Sequence, residues 1–132
     1  MVDKLHNFRL MLLIIFIPLL LSCASTKSPS QVVVAAYMAA NEGKYSEVEK
    51  YMSSGMINAI KEDERDWKGE CDKATRNRTI QKIEIREEVV RKEFGAAIVY
   101  FRIHFKDGKT ESDHDILIKE GGQWKINLSP FK

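Results

Sequence analysis

The chain has 132 residues, of which 21 are Lys or Arg and 19 Asp or Glu, giving a formal charge of +2 with 44% hydrophobic residues. That length suits one domain with a single modest core and leaves no room for a second. A charge this close to balance carries no field that would steer the chain to nucleic acid, and no such partner is expected.

In chain order, the first feature is an uncharged apolar run from Leu10 to Leu21, preceded by Lys4 and Arg9 and followed by small residues around Cys23. A basic start, an apolar middle and a small-residue exit are the layout of a secretory signal. The run is shorter than the ~20 apolar residues a spanning helix needs. Leu20-Leu21-Ser22-Cys23 resembles the lipobox of bacterial lipoproteins, which implies removal of residues 1–22 and a lipid on Cys23. The 110 residues that remain hold 19 basic and 18 acidic side chains. The expected address is the bacterial cell envelope, with the membrane as partner through Cys23. Ala24, where an aspartate is absent, points to the outer membrane, facing the periplasm. Cys71 is then left as the odd thiol and reads as a small buried apolar side chain.

Residues 23–28 read as the lipidated cysteine and a flexible tether, and residues 29–132 as the folded domain. Ser28-Pro29-Ser30-Gln31 has the makings of a capping box with proline at the first helical position. Val33, Tyr37 and Ala40 follow at helical spacing, and Gly43 supplies a left-handed stop. A second short helix is predicted from Tyr45, with Val48, Tyr51 and Met52 on its inner side, and a third from Met56 to about Glu64. The charged stretch from Asp63 to Arg78 reads as a connection with a loosely helical start, in which Trp67 and Cys71 alone are candidates for burial.

The period then changes from helical to alternating. Ile83 and Ile85, and then Ala97, Val99, Phe101, Ile103 and Phe105, mark half-buried strands, with a turn over Lys92 to Gly95. Asp107-Gly108 reads as a two-residue type I′ hairpin loop. That register pairs Tyr100 with Asp115 and Arg102 with Asp113 on the outer side, and Phe101 with His114 on the inner side. For the last hairpin the pattern predicts a three-residue loop, setting Ile118 against Trp124 and Ile116 against Ile126. The fold class is α+β, N-terminal helices packed on a curved four-stranded antiparallel sheet.

Ser28 to Val33, Tyr37 to Tyr45, the Phe105 to Lys109 hairpin and Ile118 to Ile126 together resemble a family of small bacterial lipoproteins with no assigned function. Their domain is similar to the nuclear transport factor 2-like, or cystatin-like, fold. The resemblance implies a cone-shaped sheet with a cavity and brings no catalytic residues.

The predicted register places His114 on the apolar face, where a base would sit. Three readings follow. One is a non-catalytic domain binding a small apolar ligand or an envelope protein, with Tyr37, Trp67, Phe101, His114 and Trp124 as pocket candidates. Another is an isomerase or dehydratase using His114 as its base. A structural or immunity-type partner domain is a third reading, and it would show a contiguous apolar patch on the outer face around Ile98, Tyr100 and Leu117. His104 and His114 alternate to opposite faces and one thiol remains, so a closed metal site lacks ligands and no metal or cofactor is expected.

Overall fold

The structure is a computed structural model that describes residues 26–128. The signal segment and Cys23 lie outside the described residues. Four helices precede the sheet: α1 (Pro29–Asn41), α2 (Tyr45–Lys50), α3 (Ser54–Glu62) and α4 (Trp67–Ala74). The strands β1 (Ile80–Arg91), β2 (Ala96–Phe105), β3 (Thr110–Glu120) and β4 (Gln123–Leu128) form one antiparallel meander in the order β1-β2-β3-β4. This is the expected α+β architecture.

Helix α1 begins as its sequence dictates. The Ser28 side chain accepts from Gln31 N–H, the Gln31 side chain accepts from Ser28 N–H, and Pro29 occupies the first turn. It stops at Gly43, whose φ of +72° is the left-handed conformation glycine adopts without steric cost. Its buried side carries Val33, Ala36, Tyr37 and Ala40, and Tyr37 meets Phe101 of β2 edge to face at 5.0 Å. The core beneath it is built from Val99, Phe101, Ile103 and Phe105 of β2, with Leu117 and Ile126 from the neighbouring strands.

Helix α4 is a regular, capped helix of eight residues where the sequence reads as a charged connection with only a loosely helical start. Its signal is nonetheless present: Asp66 caps the first turn by accepting from Gly69 N–H at 2.6 Å, and Cys71 and Ala74 follow Trp67 by four and seven residues along a single face. After Thr75 the chain turns through Arg76 and Asn77, both left-handed at φ of +55° and +53°.

Both hairpin registers differ from the sequence expectation, each by one residue and in opposite senses. In the first, Gly108 is left-handed (φ +85°) and Asp107 is not, so the two positive φ angles of a type I′ turn are not met. The loop is Lys106-Asp107-Gly108, closed by Phe105 N–H on Lys109 O at 2.9 Å, with Asp107 Oδ1 accepting from Lys109 N–H. In the second, Gly121 and Gly122 are both left-handed and form a two-residue loop closed by Glu120 and Gln123. The two differences cancel for β4, which faces as expected. Strand β3 between them is turned over.

The consequence is a different set of neighbours along β3. Val99 now pairs with Asp115, Phe101 with Asp113 and Tyr100 with His114, and Leu117 pairs with Ile126. Asp115 is 1% exposed and Leu117 0%. The outer patch therefore holds Ile98, Tyr100 and Ile116 rather than Leu117.

Candidate functional site

Alanines at 36 and 40 on α1 and at 74 on α4 leave the space between those helices and the sheet unfilled. The result is a cavity of about 30 Å³, room for roughly two water molecules. Val48, Met52, Met56 and Ile126 make its wall apolar, and Trp67, half-buried, completes it on the α4 side. Against that wall stand Tyr37 from α1, Glu70 and Cys71 from α4, and Asp115 from β3.

The polar groups converge because of three local choices. Tyr37 lies one turn along α1 from Val33, on its buried face. Glu70 follows the cap at Asp66 by one helical turn and points inward at 6% exposure, with Oε1 held by Arg65 at 3.3 Å and Lys73 at 3.2 Å. Asp115 faces in because β3 is turned over. Within the described residues the Tyr37 hydroxyl and Glu70 Oε2 are buried with no partner in good hydrogen-bond geometry, the Arg76 guanidinium being the group that approaches the Tyr37 hydroxyl. Burial is the main reason the Tyr37 phenol is held well above its usual pKa. The charges of Asp115 and Asp113 add to it and Arg76 opposes it.

Arg76, just after α4, stands near Tyr37 at the edge of the site. Its guanidinium donates to Glu111 Oε2 at 2.8 Å, to Asp113 Oδ2 at 2.5 Å and to Ala74 O at 2.6 Å. Burial alone would lower its pKa, but the bond to Asp113 and that carboxylate's charge outweigh it and the net shift is upward. One cation thus serves two carboxylates of the inner β3 row. Cys71, at the cavity wall, has its thiol pushed up to about 11 by burial and by the charges of Asp72 and Glu70, so it is a neutral wall group at neutral pH.

Of the residues the sequence nominates, Tyr37 and Trp67 line the cavity. Phe101 lies beneath, packed on Tyr37. Trp124 is elsewhere, in a groove near the chain's first described residues, with Lys119 Nζ 5.4 Å from its ring centroid. His114 is on the outer face of the sheet, its ring 5.7 Å from that of Tyr100, and does not reach the cavity. A base in this cavity would have to be another residue. Asp115, Glu70, Cys71 and Arg76 are the site residues that sequence reasoning did not bring together. Chemically the cavity is a small, acid-lined niche that accepts hydrogen bonds.

No curated protein matches the chain. A Campylobacter jejuni protein described as an NTF2-like transpeptidase superposes with a TM-score of 0.60 at 18% identity, covering 78% of this chain and 100% of that one. A SEC-C motif containing protein from Rhodopseudomonas palustris superposes at 0.58 with 16% identity, covering 84% of each chain. At these identities the likeness is one of fold, which is nuclear transport factor 2-like. Residues 21–127 match the family described as Domain of unknown function (DUF4878), and the chain belongs to that family.

Proposed function

We propose that this protein is a lipid-anchored lipoprotein of the bacterial envelope that binds, without chemical turnover, the small polar head of a ligand in the cavity between α1, α4 and β3. The observation that carries the binding role is the pair of buried polar atoms there, Tyr37 Oη and Glu70 Oε2, that have no partner in good hydrogen-bond geometry within the described residues. Buried polar atoms are nearly always partnered, so such a pair at a cavity wall suits a bound donor. With Asp115 and Glu70 in the lining, the fitting head donates hydrogen bonds and is neutral or cationic. Size argues for binding over turnover: about 30 Å³ is far below the ~300 Å³ and more of pockets that enclose a whole small molecule.

The anchor rests on the sequence layout around Cys23, and the family match, which begins at residue 21, takes that cysteine in. Native mass spectrometry of the protein purified from its own membranes tests both parts. The expected species starts at Cys23, carries acyl chains and retains a small molecule that Tyr37→Phe or Glu70→Gln releases. An unmodified chain from Met1 would refute the anchor, and an acylated chain that never holds a small molecule would refute the ligand.

A further inference from the structure

Beside the first described residues lies a groove of about 610 Å³, whose lining includes Lys27, Lys50 and Lys125 with Tyr51 and Trp124. Glu47 is the one acid in that lining, so the groove carries three positive charges against one negative. Lys125 Nζ donates to the Lys50 carbonyl, which fixes its charge at the groove, and Lys119 adds a fourth ammonium over the Trp124 ring. Thr26 also lines it. Thr26 is three residues from Cys23, and a fully extended chain advances at most about 3.6 Å per residue, so the groove wall is within ~11 Å of the cysteine.

We infer that this groove is the membrane-facing surface of the domain and seats anionic phospholipid headgroups. The inference rests on the anchor proposed above: if Cys23 carries lipid, a tether this short holds the groove at the headgroup layer. Three features of the groove then suit that layer. Lysines at the surface are attracted to anionic lipid, tryptophan and tyrosine prefer the interfacial zone, and the cleft is large enough to take a headgroup.

The test uses the acylated full-length product in vesicles, with Trp67→Phe leaving Trp124 as its sole tryptophan. In vesicles containing 30% phosphatidylglycerol, Trp124 emission should shift to the blue and be quenched by lipids spin-labelled near the headgroup. High salt should reverse the quenching while the protein still floats with the vesicles. The triple change Lys27→Gln, Lys50→Gln and Lys125→Gln should do the same, weakening the groove's hold on the headgroups about a hundredfold, at roughly fivefold per lysine. Trp124 unquenched on floating protein, or quenched equally on pure phosphatidylcholine, would overturn the inference with the anchor intact. Protein that does not float would overturn both.

Discussion

Val99 and Asp115 stand directly opposite each other on β2 and β3, and both are sealed from solvent, at 0% and 1% exposure. An aspartate occupies an inner-face position because the hairpin before it has three loop residues, which turns β3 over. The acid-lined cavity is therefore a product of turn chemistry as much as of the residues that line it.

Gly108 is the residue on which that turn depends. With φ at +85° and nothing within 4 Å of where a Cβ would stand, Gly108→Ala should cost about 1 kcal/mol from backbone conformation alone. Gly55, in the first turn of α3 without a left-handed φ and with only loose neighbours, should show the opposite sign. Gly55→Ala is expected to stabilise by about 0.5 kcal/mol. Urea denaturation midpoints of the two variants check the pair.

Asn41 ends α1 and ties it to the start of the sheet. Its Oδ1 accepts from Ile80 N–H at 2.7 Å and its Nδ2 donates to Ile80 O at 3.1 Å, while Ile80 itself is 1% exposed. Asn41→Ala leaves both main-chain groups of a buried residue unpaired at the edge of β1 and should cost about 2 to 3 kcal/mol. Hydrogen exchange at Ile80 should rise along with the loss of global stability.

Arg76 should behave as a fork rather than a charge. Arg76→Gln removes the partner of both Glu111 and Asp113 and is expected to cost about 2 kcal/mol by thermal or chemical unfolding. Arg76→Lys should recover less than half of that, because one ammonium does not reach both carboxylates and the Ala74 carbonyl together.

Cys71 gives the pH dependence a definite sign. Its folded thiol is raised from an ordinary value of 9.0 to about 11, so the folded state holds that proton more tightly than the unfolded state does. The associated stability is fully present below pH 9 and is lost as pH rises through about 11. Cys71→Ser should flatten stability against pH across that window. In the wild type, alkylation by iodoacetamide at pH 8 should be slow until denaturant is added.

Legibility in the sequence follows from how far each pattern is one-sided. Strand β2 alternates without ambiguity through Ala97, Val99, Phe101, Ile103 and Phe105, and its inner face is readable directly. Strand β3 offers only polar residues from Thr110 to Asp115 and then three consecutive apolar ones, Ile116, Leu117 and Ile118, which fit either face. With alternation silent, the turn decides, and Asp107-Gly108 serves both a two-residue and a three-residue loop. That is why Tyr37 and Trp67 are legible as cavity residues while Asp115 is not. Glu70 is hidden for another reason: an inward acid in a run of charges has no signature until its helix is recognised, and α4 shows itself only through Trp67, Cys71, Ala74 and the Asp66 cap.

The segment between α2 and α3 runs alongside β4 as a short parallel seam: Ile126 N–H bonds to Tyr51 O, Ser53 N–H bonds to Ile126 O, and the Ser53 hydroxyl bonds to Asn127. Those groups near the beginning of the domain have no mate until its final strand arrives. A growing polypeptide can assemble its helices and three strands and still lack the clasp, so the fold locks from its last residues back to its first. Loss of the six residues of β4 would leave the early half open, so the helical half of the domain is held shut by its most distant strand.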